Sequence, residues 1–340
     1  MKTIMKTLLV SIASLSLMLS VNAGELSVSG TAKGTYHGSS GMSADQGFGV
    51  TNELNFTASG EMDNGYTWSY SMELDPASGG AANNDDTQIV LGLNDMGKVK
   101  VCVSECGNNK KYAWDQSAYT SMSDTGISEG ITYPDDMGSY ASIQYHTPEL
   151  PLGITASIAH GNQKVDGQSG NAQASSGDSA TFYSLVTKPV DGLTLSASYY
   201  DKNNYGNGAD EAGDQNEEGG AYGAKFAYGN LTVGYGKSFK APESTIITAG
   251  ATTVEYYENT GTSIAYAVND DLSVSYTQET GERNMQTSNT TTYDIEMDSI
   301  QIAYSLGGAT LSVARTDYEN IGYANNVDAT DTIIALTFAF

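Results

Sequence analysis

The chain is 340 residues long, with 40 Asp and Glu against 15 Lys and Arg and a formal net charge of −25 at pH 7. Such a surface repels phosphate backbones, which excludes nucleic acid as a partner. Its 39% hydrophobic content, 38 Gly, 23 Tyr and 6 Pro exclude a disordered acidic tail and fit a β protein rich in turns and aromatic residues.

At the front, Lys2 and Lys6 precede an apolar run from Leu8 to Leu19, and Val21-Asn22-Ala23 supplies small residues at signal-peptidase spacing. Residues 1–23 are expected to be a secretory signal peptide, leaving residues 24–340 with a net charge of −27 once those two lysines are gone. The run is shorter than the roughly 20 residues of a spanning helix.

From Leu26 the chain alternates with period two, the signature of half-buried strands. Leu26, Val28, Gly30, Ala32, Gly34 and Tyr36 oppose Ser27, Ser29, Thr31, Lys33, Thr35 and His37. The pattern recurs at 50–60 and is clearest at 66–74, where Tyr66, Trp68, Tyr70, Met72 and Leu74 oppose Thr67, Ser69, Ser71 and Glu73. Further strands are predicted near 87–93, 97–103, 139–147, 152–160, 180–188, 192–201, 220–228, 230–239, 253–268, 271–280, 293–306, 309–317 and 331–340. That makes about sixteen, an even number. In the last of them Thr332, Ile334, Leu336, Phe338 and Phe340 share one face, which asks for a partner edge that the first strand can provide.

Short turns such as Asp63-Asn64-Gly65 and Gly307-Gly308 alternate with long polar segments near 38–48, 75–86, 104–138, 161–179, 202–219, 240–252, 281–292 and 318–330. This asymmetry predicts an all-β fold: a closed antiparallel transmembrane β-barrel with short periplasmic turns and long extracellular loops. A soluble β-sandwich also alternates. It fits less well, because apolar faces end in aromatics (Tyr36, Tyr66, Tyr145, Tyr228, Tyr235, Phe338, Phe340), as lipid-interface girdles do, and the opposite faces are polar in nearly every strand. Parity turns Glu296, Asp298 and Arg315 outward; a bulge, a position above the lipid or a neighbouring subunit would each account for them.

Cys102 and Cys106 stand at the entry to the third long segment. An oxidising periplasm favours a disulfide, provided the chain turns between them; free thiols are the alternative, and a metal would lack two further ligands. Gly92 to Val99 imitates a phosphate loop, but Val99 replaces the magnesium-binding hydroxyl, so it reads as a hairpin turn. Asp201 to Gly206 imitates a calcium loop with Tyr205 at a ligand position. His37, His146 and His160 are scattered. No catalytic constellation appears, so the reading is not an enzyme.

The opening strand, the alternation of short turns with long loops, the outsized third loop and the terminal Phe340 together resemble the sixteen-stranded general porins of Gram-negative outer membranes, most like the alphaproteobacterial type. The resemblance implies a homotrimer in contact with outer-membrane lipid and lipopolysaccharide, each barrel a water-filled channel for small hydrophilic solutes, narrowed by an inward third loop. In such porins a basic cluster on the wall often faces acids on that loop. This chain departs from that, since its two arginines are Arg283 and Arg315 and any transverse field rests on lysines.

Loop three, 104–138, is then the candidate constriction, with acids Glu105, Asp115, Asp124, Glu129, Asp135 and Asp136 and bases Lys110 and Lys111. Inward phase on the strands selects Lys33, Glu53, Glu73, Lys98, Lys100, Lys225 and Glu279 as wall residues, with Lys33 and Glu53 as a cross-strand pair. Acids outnumber bases, and one acid at ~4 Å favours a cation by about 1 kcal/mol in water, so a cation preference is expected. No dedicated cofactor or metal site is expected; the acidic loops would collect Ca²⁺ or Mg²⁺ loosely. The competing reading is a barrel that binds through those loops as an adhesin or receptor.

Overall fold

The computed structural model describes residues 25–41, 46–76, 82–103, 106–121, 130–136, 140–163, 179–203, 215–243, 253–286 and 291–340. Its strands are β1 (Glu25–Gly41), β2 (Gln46–Glu61), β3 (Thr67–Pro76), β4 (Ala82–Gly92), β5 (Lys98–Val103), β6 (Tyr140–His146), β7 (Thr155–Gln163) and β8 (Ser179–Val190). They continue as β9 (Leu193–Asn203), β10 (Glu218–Tyr228), β11 (Leu231–Ala241), β12 (Val254–Ala267), β13 (Leu272–Met285), β14 (Ile295–Ser305), β15 (Ala309–Glu319) and β16 (Ala329–Ala339). Each pairs antiparallel with its chain neighbours, and β16 returns to β1, so the sheet is a closed barrel of sixteen strands.

Closure is sealed at the last residue: Phe340 N–H donates to Gly30 O at 3.0 Å and Gly30 N–H to Phe340 O at 2.8 Å. With both edges consumed, no strand is left as an open edge of the sheet, as a wall in hydrocarbon requires.

Alternation sorts the side chains inside out relative to a soluble protein. Ile300 is 60% exposed while its neighbour Gln301 is 0%, and Tyr276 is 43% exposed beside Thr277 at 0%. Apolar residues face outward and polar residues inward, the arrangement of a lipid-embedded barrel. Short turns use glycine where the backbone demands it. Gly97, after the single turn Asn94–Met96, has φ +89°, and a Cβ there would run into the His146 carbonyl.

The sixteen strands match the expected segments, but most run further into the long-loop side, β13 to Met285 rather than 280 and β2 from Gln46 rather than 50. Glu296, Asp298 and Arg315 are outward in fact. The registers β13–β14 and β14–β15 run unbroken through them, which removes the bulge explanation.

Candidate functional site

The lumen is shaped by loop three, which leaves β5 inside the barrel. Cys102, inward on β5, is disulfide-bonded to Cys106 with the Cα atoms 5.8 Å apart. Both cysteines are buried against Ala159, Ala180, Phe182 and Tyr200, the last two rings stacked at 4.8 Å. Gln144 of β6 donates from Nε2 to the Cys106 carbonyl at 3.1 Å, so the loop's root is held by a covalent bond, an apolar nest and a wall amide.

From there the limb 106–121 runs along the inner wall. Irregular backbone cannot satisfy itself, and here short wall side chains serve it. Ser157 of β7 bonds Asn108 Oδ1 at 3.0 Å, and Ser198 of β9 accepts from Lys110 N at 2.9 Å. Ser263 of β12 accepts from Gln116 N at 3.1 Å and Ser275 of β13 from Ala118 N at 2.8 Å. Gln301 of β14 accepts from Tyr119 N and Thr120 N at 2.9 and 3.0 Å and returns its Nε2 to Thr120 O at 2.8 Å. Midway, Trp114, 3% exposed, fills a notch cut by Gly234 and Gly236 of β11 and Gly261 of β12; a Cβ at any of these would overlap it. Its indole N–H donates to Lys111 O at 2.8 Å.

The return limb 130–136 is tied to the wall and to the first limb. Tyr133 donates to Glu279 of β13 at 3.0 Å, and Asn259 of β12 donates to Thr132 O at 3.0 Å. Asp136 accepts from the N–H groups of Asn108 and Asn109, both at 2.9 Å, while Asn109 Nδ2 donates to Asp135 O at 2.7 Å. Asp135 itself is bridged to Lys202 of β9, which also lies 2.8 Å from Glu217, and Glu217 is 3.1 Å from Lys240 of β11. Burial opposes the charge on Asp135, but Lys202 and Lys240 overcome it and hold the carboxyl below the ordinary Asp range. For Lys111 burial wins over the attraction of Asp136 and Asp135, and its ammonium titrates below the ordinary Lys value.

The loop-three acids that are described are thus engaged within the belt: Asp115 accepts from Ser117 N and Oγ at 2.8 and 2.7 Å, Asp135 is bridged and Asp136 caps two amides. Glu105, Asp124 and Glu129 lie outside the described residues. Across the lumen stand the inward side chains of β1–β5. Lys33 lies 5.9 Å from the Tyr119 ring centre, and Glu53 accepts from Thr31 Oγ1 at 3.4 Å. The expected Lys33–Glu53 pair is not formed, because the register sets Glu53 opposite Thr31 and Lys33 opposite Thr51. Glu73 lies opposite Asn55 on β2, and Lys98 and Lys100 occupy alternate inward positions of β5, opposite His146 and Gln144. Lys225 is inward on β10 opposite Gly234.

Sequence reasoning missed Trp114, Lys202, Glu217 and Lys240. Glycines on the inward phase of adjacent strands, Gly223, Gly234, Gly236 and Gly261, were a readable sign of a docked side chain. The lysine–carboxylate cluster joins two loops and two strands, and no spacing announces it. Among the described residues no group of three or more His, Cys, Asp or Glu is placed to hold a metal.

The Gram-negative porin family model matches residues 8–340. A porin structure refined at 1.8 Å resolution superposes with a TM-score of 0.65 and 16% identity, covering 93% of this chain and 100% of its own. Salmonella typhi OmpF in complex with daunomycin gives 0.67 and 15%, with coverages of 94% and 98%. An anion-selective porin from Comamonas acidovorans gives 0.64 and 13%, with 93% and 100%. No curated protein matches the sequence significantly.

Proposed function

The chain belongs to the Gram-negative porin family, outer-membrane β-barrel channels and not enzymes, and on that footing we propose that small hydrophilic solutes and ions diffuse passively between loop three and the charged wall of β1–β5. The observation that carries this reading is the belt of loop three itself. Its described hydrogen bonds run to β6, β7, β9, β12, β13 and β14, so the loop lies along one side of the lumen, and charged side chains line the other.

A weak to moderate preference for cations belongs to the same proposal. Its support is the acid excess of the chain, 40 against 15, much of it in the long loops where a solute enters. Lys98 and Lys100 on β5, and Lys33 beside the Tyr119 ring of loop three, temper it. The same loops would gather Ca²⁺ or Mg²⁺ loosely and meet lipopolysaccharide, and residues 1–23 would be removed on export. A homotrimer is favoured by the outward face of β1, where Ala32 and Gly34 present small residues to a second copy.

The test is unitary conductance and reversal potential of the refolded protein in a planar bilayer under a potassium chloride gradient. Steps in multiples of three with a cation-favouring potential are expected. A chloride-favouring potential removes the cation preference, and inserted, folded barrels that carry no current point to a surface-binding role instead.

A further inference from the structure

The inward faces of β14 and β15 change character at their long-loop ends. Lower down they hold Ser299, Gln301 and Thr316, and towards the loops Ile295, Met297 and Tyr318, with Ala329 of β16 beside them, all 7% exposed or less. Apolar side chains facing a water-filled lumen need a cover. The cover is loop eight, residues 320–328: Ile321 and Tyr323 turn down among them, 4% and 5% exposed, with Val327 alongside.

Loop eight also reaches the two parts that define the bore. On one side it meets loop three's return limb, with Ile131 packed into the same cluster and Gly322 against Gly130, where a Cβ on Gly130 would be crowded. On the other, the Tyr323 ring lies 4.7 Å from the guanidinium of Arg283 and 5.7 Å from the Tyr257 ring. Arg283 shares the inward phase of β13 with Glu279, and its Nε has no hydrogen-bond partner among the described residues, so stacking on Tyr323 is what orients it. Tyr323 has φ +63°, a left-handed conformation that residues with a side chain rarely adopt. The surrounding packing maintains that conformation, since it carries the ring over Arg283.

We propose that loop eight is a second internal element of the channel, a wedge in which Tyr323 fixes loop three's return limb from above and holds Arg283 as a specificity-determining positive charge in the vestibule. Tyr323 is a positioning residue: it sets the bore and the direction of a charge. Arg283 is the residue that solutes sense, favouring anionic groups and opposing cations at that level. This inference rests on the channel reading.

The experiment is unitary conductance, open-channel noise and reversal potential of Tyr323→Ala, Tyr323→Phe and Arg283→Gln, beside the parent and the exposed-position control Ala324→Ser. Heat-modifiable electrophoretic mobility verifies the fold, and Tyr323→Leu replaces the alanine variant should that one fail to fold. Expected are a larger, noisier conductance and a shift towards cations in Tyr323→Ala or Tyr323→Leu, the shift alone in Arg283→Gln, and parent behaviour in Tyr323→Phe and the control. Folded, conducting Tyr323→Ala or Tyr323→Leu channels that match the parent in all three readings overturn the wedge. An Arg283→Gln channel with the parent's reversal potential overturns the charge role. A folded parent that carries no current defeats the channel reading first, and this inference with it.

Discussion

The wall that loop three covers and the wall it faces are built from the same kind of strand, yet the inward residues that receive the loop differ from the charged ones left facing it. Along β7 to β14 the inward positions hold Ser157, Ser198, Gly234, Gly236, Gly261, Ser263, Ser275 and Gln301, short or amide side chains that hydrogen-bond a visiting backbone or make room for Trp114. Along β1 to β5 they include Lys33, Glu53, Glu73, Lys98 and Lys100, long charged groups that a docked loop would have to desolvate. Where the covered wall is charged, Lys202 and Glu279 meet partners from the loop in Asp135 and Tyr133, so matched contacts decide where the loop lies and, by exclusion, where water runs.

The sharpest way to break this contrast is to remove the anchor of the covered wall. Trp114→Ala deletes a buried indole and should cost loop three about 3–5 kcal/mol of anchoring. Tryptic cleavage after Lys110 and Lys111 in folded barrels should then accelerate at least a hundredfold, at ~1.4 kcal/mol per factor of ten. Parent-like cleavage would mean the hydroxyl partners suffice. Gly261→Val attacks the same contact from the wall and should cost about 1–3 kcal/mol by overpacking, read by the same digestion.

Asp135→Asn tests the seam between the limbs, and loss of a charged hydrogen bond should cost about 1.5–3 kcal/mol. The native carboxyl titrates below its ordinary value of about 3.9, so its contribution is complete above that pH and is lost as pH falls through the lowered value. Loop protection in the parent should therefore decay only in strong acid, and Asp135→Asn should remove that acid-side dependence. The smallest effect is on the bare wall: Lys100→Gln should leave digestion unchanged and shift the reversal potential towards cations by about 1 kcal/mol equivalent or less. A change in digestion instead would show that β5 helps to hold the loop.

The barrel was legible because period-two alternation and turn chemistry act locally. Tyr66 to Leu74 announces a strand without reference to any other part of the chain. The signal faded at the long-loop ends, where β13 continues to Met285 through Gln278, Thr280 and Glu282 on its outward face; above the apolar band both faces are polar and parity has nothing to report. The inward phase of Lys33, Lys98, Lys100 and Lys225 also followed from parity. What did not follow was partnership. Lys33 and Glu53 share a face and neighbouring strands, but pairing depends on register, and one step of two residues separates opposite from diagonal. The acids of loop three look like free pore charges in the sequence, whereas Asp115, Asp135 and Asp136 spend their lone pairs on the loop and its anchors.

The bonds between Gly30 and Phe340 also bear on time. They join residues about as far apart along the chain as it allows, so the wall has no complete ring until its last strand has been made. Every earlier stage presents two open edges and a full complement of outward apolar side chains. A chain of this kind folds slowly and stays adhesive until the ring is complete.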